Sequence, residues 1–126
     1  MFSHMAVGSN DLDRSKTFYD ALFAAIGGKP GFTDPKGRLI YRHNGANFLV
    51  TKPIDGQPAT IGNGCTVGFA IDSAEQAKAW HEAGVAHGGT AIEDPPGERV
   101  GGATTLYLAY LRDPDGNKLC ALHRVS

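Results

Sequence analysis

Few side chains in this sequence combine reactive chemistry with informative spacing, and they are spread along the chain. His4, in the first strand-like run, could bind a metal through a ring nitrogen or move a proton near neutral pH. Cys120, in the last such run, could act as a nucleophile. No His lies at a readable spacing from it and nothing nearby would depress its pKa, so a small buried core residue is the plainer reading. Tyr110 could stack on a ligand and donate its hydroxyl, although a strand tyrosine is commonly a packing residue. Arg99 and Glu98 stand in the run Asp94-Pro95-Pro96-Gly97-Glu98-Arg99-Val100-Gly101-Gly102, which reads as a mobile loop. As a solvated loop it would carry both as ordinary surface charges. Phe48, Tyr107 and Tyr110 could wall an apolar cavity. His43, His81, His87 and His123 make no HxH or HExxH pattern, and the glycines follow no phosphate-loop spacing.

Two similar halves must position these residues. Sliding the chain on itself places Lys16 on Lys78, Phe18 on Trp80 and Ala21 on Ala83, and brings two strand–helix–glycine-pair segments into register. The first helix, Asp11 to Ile26, is capped by Asp11 and repeats Leu12, Ser15, Phe18, Tyr19, Leu22, Phe23 and Ile26 at helical spacing. The second, Ser73 to His87, starts at a Ser73 cap and would bury Ala77, Trp80, Ala83, Gly84 and Val85. Short strands follow each helix, at Lys29 to Thr33, Arg38 to His43 and Asn47 to Lys52, then at Thr90 to Glu93, Thr104 to Arg112 and Lys118 to Arg124. The order β-α-β-β-β thus occurs twice, over about residues 1–52 and 64–126 of one domain, joined by the polar, Gly/Pro-rich stretch 53–63. Asp113-Pro114-Asp115-Gly116-Asn117 predicts a β-hairpin, since Pro presets a turn and Gly permits positive φ. If that hairpin pairs Arg112 with Lys118, Tyr110 faces Cys120. Alternation on the first strand puts Phe2, His4 and Ala6 on one face.

With 126 residues the chain can bury a core unaided. Its 12 basic and 13 acidic residues are interspersed, which argues against nucleic acid as a partner. No apolar run reaches membrane-spanning length and the first residues lack a signal-peptide pattern, so the expected location is the cytoplasm, with no membrane partner. Cys65 and Cys120, far apart, are expected as free thiols.

The repeated β-α-β-β-β order, the His in the first strand, the run Asp11-Leu12-Asp13-Arg14-Ser15-Lys16-Thr17-Phe18-Tyr19 and the near-terminal Asp113-Pro114-Asp115-Gly116-Asn117-Lys118-Leu119 together resemble the vicinal oxygen chelate superfamily of glyoxalases, bleomycin-resistance proteins and extradiol dioxygenases. The resemblance covers nearly the whole chain. It implies an α+β fold in which two βαβββ modules form an open, curled, mixed eight-stranded sheet, a small-molecule ligand in the concave space, and a homodimer. It also implies a divalent metal held by His or Glu near the first and last strands of each module, with open positions for two vicinal substrate oxygens. Carried over residue by residue, His4 matches one ligand position. Thr66 and Cys120 stand at two others, and the fourth falls near Val50 or Thr51. A lone imidazole with a hydroxyl and a thiol is an unusual donor set for the family's metals, although His and Cys could hold zinc if the thiolate formed, so the sequence assigns no cofactor. In that fold the segment 94–102 would border the cavity mouth, where Arg99 could clamp an anion and Glu98 serve as a base, and the cavity candidates are His4, Phe48, Thr66, Arg99, Tyr110 and Cys120. Two functional readings stay open, a lactoylglutathione lyase-like enzyme and a metal-free, ligand-sequestering protein of the bleomycin-resistance type that takes an aromatic or cationic compound. A third is a homodimer with a vestigial cavity.

Overall fold

A computed structural model describes all residues 1–126. In chain order the elements are β1 (His4–Gly8), α1 (Leu12–Ala24), β2 (Phe32–Thr33), β3 (Leu39–His43), β4 (Ala46–Thr51), β5 (Val67–Ala70), α2 (Ala74–Ala86), β6 (Thr90–Ala91), β7 (Gly97–Gly101), β8 (Thr104–Arg112) and β9 (Lys118–Arg124). The fold is α+β, with two open sheets rather than a closed barrel. The first has the order β1-β4-β3-β2, and the second the order β5-β9-β8-β6 with β7 also on β8. In each, the parallel pair (β1 with β4, β5 with β9) requires a crossover, and the rest is antiparallel.

Local sequence explains both helices. The Asp11 carboxylate accepts from the Arg14 N–H and caps α1, and Ser73 does the same for Gln76 on α2. The buried stripe of α1 is Ser15, Phe18, Tyr19, Leu22 and Phe23. On α2 it is Ala77, Trp80 and Gly84, while Val85 is exposed, because it lies on the solvent side of the turn that brings Gly84 inward. Each helix covers one face of a sheet. Tyr19 and Phe23 meet Tyr41 and Phe48 of the first sheet, with the Phe23 and Tyr41 rings stacked at 4.6 Å, and Trp80 meets Phe69 of the second.

One strand lies where a loop was expected. Gly97–Gly101 pairs antiparallel with β8, Arg99 opposite Leu106 and Val100 opposite Thr105. The edge of β8 facing β6 would otherwise leave its backbone groups bare beyond Ala91, and past Pro96 the chain again has N–H groups to offer. β6 and β7 thus act as one edge strand, interrupted where Glu93 takes the left-handed conformation at φ 59°. This broken strand fills the eighth strand position, so the count rises to nine without a change of plan.

The two sequence runs that carry the family resemblance interlock. The hairpin at Asp113–Asn117 docks against the start of α1. Asp113 accepts from the Tyr19 hydroxyl at 2.5 Å, Asp115 accepts from Arg14 at 2.9 Å and Ser15 at 3.3 Å, and Asn117 donates to the Gly8 carbonyl at 3.0 Å. The buried Ser9 and Ser15 hydroxyls complete the network at 2.6 Å. No helix is long and apolar enough to cross a membrane.

Candidate functional site

In each sheet the residues out of phase with the core form a second face that carries no helix. On the second sheet the register sets this face in four rows. Arg112 and Lys118 make the first, next to Thr66, which lies just before β5. Tyr110, Cys120 and Gly68 make the second, Leu108, Leu122 and Ala70 the third, and Leu106, Arg124 and Arg99 the fourth. Successive rows stand about 7 Å apart, two strand residues. The expected pairing of Arg112 with Lys118 holds, and with it Tyr110 faces Cys120.

Tyr110 and Cys120 face each other across the β8–β9 pair, and the Cys120 thiol donates to the Ala121 carbonyl at 3.6 Å. Burial pushes the Cys120 thiol above its ordinary 9.0, as does the Glu93 carboxylate, outweighing the neighbouring Tyr110 hydroxyl and the Lys118 and Arg99 charges that favour thiolate. Burial and the adjoining Cys120 likewise raise the Tyr110 hydroxyl. Both groups are therefore neutral at physiological pH, so they can donate to a ligand oxygen but cannot attack as anions. Iodoacetamide at pH 8 is expected to alkylate the exposed Cys65 within minutes and to leave Cys120 unmodified until the protein is denatured, as read by peptide mass. Rapid labelling of native Cys120 would refute this account.

Charged groups surround the pair. The Lys118 ammonium lies 5.1 Å from the centre of the Tyr110 ring and is ion-paired to Glu93. The Arg99 guanidinium donates to the Asp94 and Pro95 carbonyls at 3.1 and 3.0 Å, which ties it to the break in the edge strand. That break leaves part of β8 unpaired, and there His81 of α2 adjoins Tyr110, whose backbone opposes the lowering of the imidazole pKa that burial causes. Lys118, Glu93 and His81 escape a reading of the sequence in different ways. Lys118 is in phase with Cys120 and follows once the hairpin register is written out. Glu93 sits outside any periodicity because its backbone leaves the strand conformation, and His81 reaches the site from another element.

The other candidates lie elsewhere. His4 is exposed on the helix-free face of the first sheet, in a row with Asn47 and Arg42, and its ring bonds Ser3 Oγ at 2.8 Å. It shares neither a hydrogen bond nor a pocket with Thr66, Tyr110 or Cys120. Phe48 faces α1 and is 6% exposed. It borders an apolar cleft of about 270 Å³ on the helix side of the first sheet, between Phe23, Tyr41 and the free edge of β5. Glu98 is in phase with the core but exposed at the sheet edge, away from the Tyr110 row. Of the six candidate cavity residues, the structure gathers four, namely Thr66, Arg99, Tyr110 and Cys120, on one face.

The chain matches the model of the glyoxalase/bleomycin resistance protein/dioxygenase superfamily over residues 1–121. It belongs to that superfamily. A glyoxalase/bleomycin resistance protein from Albidiferax ferrireducens T118 is 58% identical, with a TM-score of 0.93 and 98% of each chain covered. More distant likenesses establish the fold alone. A glyoxalase/bleomycin resistance protein/dioxygenase family enzyme from Burkholderia phytofirmans PsJN is 16% identical (TM-score 0.70, 96% of each chain). A lactoylglutathione lyase from Agrobacterium tumefaciens is 18% identical (TM-score 0.67, 98% of this chain and 92% of the other). Among curated proteins none matches.

Superfamily membership raises the question of a divalent metal, and the donor set answers it for a single chain. The strand neighbour of His4 is the Asn47 amide, and its Nδ1 is already hydrogen-bonded with Ser3 Oγ. Cys120 is a neutral thiol whose partner is a phenol. No three His, Cys, Asp or Glu side chains converge at any point. These residues do not fit a mononuclear metal site of the superfamily type within one chain.

Proposed function

We propose that this superfamily member binds a small organic anion with an apolar or aromatic body on the helix-free face of the second sheet, as a ligand-sequestering protein. The observation that carries this reading is the segregation of charge on that face. The chain has a formal net charge of −1. Yet Lys118 and Arg112 stand at one end of the face and Arg124 at the other, the Arg99 guanidinium is held at the break in the edge strand, Leu108 and Leu122 lie between the ends, and neutral Tyr110 and Cys120 are donors. Glu93 is the carboxylate that reaches this group, and it already serves Lys118. A cationic guest would meet net repulsion here, whereas an anion would gain charge-assisted hydrogen bonds above an apolar floor.

Calorimetry with 1-naphthoate and 1-naphthylmethylammonium, which share an apolar body and differ in charge, tests the reading. Naphthoate is expected to bind with a Kd below about 1 mM, and the ammonium not at all. Equal binding of the two, or none of either, overturns the proposal. A thermal shift produced by Ni, Zn, Mn or Fe and lost in His4→Ala would instead support a metal-dependent, glyoxalase-type lyase.

A homodimer accords with this proposal. The accessible surface is 7281 Å², against roughly 6,500 Å² for a monomer of 13.3 kDa. The excess resembles one partner's share of a standard interface, roughly 800 Å². β1 and β5 each carry an unpaired edge, and Met1, Phe2 and Met5 are exposed beside the first of them. Sedimentation at micromolar concentration is expected to report a dimer, and a monomer there removes this part of the proposal.

A further inference from the structure

A second, polar recess lies one row from Tyr110 and Cys120. It encloses about 240 Å³ between the first row of the second sheet and the segment that joins the two halves, and its walls are Arg112, Lys118, Thr66 and the turn Gly62–Cys65 with Ile61. The turn is closed by the Cys65 N–H donating to the Gly62 carbonyl at 3.1 Å, and it needs glycine at position 64, where φ is 97°. The Asn63 and Gly64 amides donate to no protein acceptor. Ile61 packs over Gly116, which holds the joining segment across the hairpin end.

The charges are fixed with equal economy. Arg112 gives one Nη1 hydrogen bond to the Gly116 carbonyl at 2.7 Å, which orients its guanidinium and leaves donors free. Lys118 carries the ion pair with Glu93, whose strained backbone places its carboxylate against the ammonium. No carboxylate is among the walls of the recess. Two basic residues, a threonine and a turn with two unpartnered amides thus line one small polar volume, with one neutralising carboxylate outside it.

We infer that this recess is an oxyanion site, which takes the phosphate or carboxylate group of the ligand while the ligand's apolar body lies over Tyr110, Cys120, Leu108 and Leu122. Glu93 occupies Lys118 in the empty protein and is displaced from it when an oxyanion enters. This inference deepens the reading of an anion-binding face and rests on it only for the apolar body. The oxyanion site stands or falls by itself.

Amide NMR of the full chain, titrated with sodium phosphate and separately with sodium acetate against chloride at constant ionic strength, tests it. Saturable shifts are expected at Asn63, Gly64 and Cys65, and the tighter of the two anions identifies the group recognised. Lys118→Gln should weaken binding about fivefold, while Glu93→Gln, which removes the competing carboxylate, should tighten it about threefold. A generic loss of stability cannot produce opposite signs, and a melting curve for each variant confirms folding. Linear, unsaturated shifts, or shifts of equal size around Arg42, overturn the inference, as does identical affinity in the two variants. Saturable phosphate binding without naphthoate binding would retain this site and remove the reading of the apolar face. Naphthoate binding that Lys118→Gln and Arg112→Gln leave unchanged would do the reverse.

Discussion

Asp113→Ala is expected to lower stability by about 4 kcal/mol, or roughly 15 °C in Tm for a domain of this size. Asp113 is 3% exposed and accepts four hydrogen bonds. Its donors are the Tyr19 hydroxyl at 2.5 Å, the Asp115 and Asn117 backbone amides at 3.0 and 2.9 Å, and the Asn117 side chain at 2.9 Å. Alanine leaves the Tyr19 hydroxyl buried without a partner and releases the hairpin turn at once, and bonds to a charged group contribute more than neutral ones. Tyr19→Phe removes one donor and leaves the turn intact, so about 1–2 kcal/mol is expected there. pH dependence supplies an independent check. Burial, then the Asp113 carboxylate, raises the Tyr19 hydroxyl well above its ordinary 10.0. A group whose pKa is raised on folding contributes stability that is complete below the unfolded pKa and declines as pH rises beyond it. Urea midpoints measured from pH 9 to 11.5 should therefore fall with pH in the native sequence, and less steeply in Tyr19→Phe. An Asp113→Ala protein that melts within 4 °C of the parent would show that the interlock carries little of the fold's stability.

Gly89→Ala should be nearly as damaging, at about 3 kcal/mol by the same unfolding measurement. A Cβ at position 89 would lie 2.8 Å from the Gly84 carbonyl oxygen, 3.0 Å from the Arg112 carbonyl oxygen and 2.6 Å from the buried Phe18 ring. Two of these atoms are backbone, one at the end of α2 and one in β8, so no rotamer change relieves the contact. Gly84→Ala makes the informative comparison. Its Cβ would overlap Leu111 Cδ1 and lie 3.3 Å from Leu22 Cδ1, both tips of side chains. Alanine in a helix interior also recovers up to about 1 kcal/mol of propensity, so a net loss of about 1 kcal/mol is expected, and less in a Leu111→Val background. Equal losses at the two glycines would mean that β8 and α2 move apart together, and that the backbone approach is not what position 89 protects.

Much of the architecture is legible in the sequence because its signals are local. Asp11 and Ser73 cap helices, the apolar residues of α1 recur at helical spacing, and Asp-Pro-Asp-Gly makes a hairpin whose register fixes Tyr110 against Cys120. Each of these depends on residues within a turn or two of one another. The strand Gly97–Gly101 was not legible, because it forms to satisfy backbone groups of β8 and has no alternation of its own. The same limit hides the role of Glu93, set by a left-handed residue at the break between β6 and β7.

The site divides along the same line. Residue types and the resemblance together marked His4, Phe48, Thr66, Arg99, Tyr110 and Cys120 as cavity candidates, and the scarcity of carboxylates at the ligand positions was visible in the sequence. Tertiary structure decided which of them meet, since Thr66, Arg99, Tyr110 and Cys120 share one face while His4 stands on the other sheet. It also turned basic residues dispersed along the chain into the cationic rim of one apolar face. Sequence determined the elements and their phase, because caps, turns and periodicity are short-range. The fold decided charge segregation and the interlock of Tyr19 with Asp113, because strand register and crossover connections bring together groups that no local spacing relates.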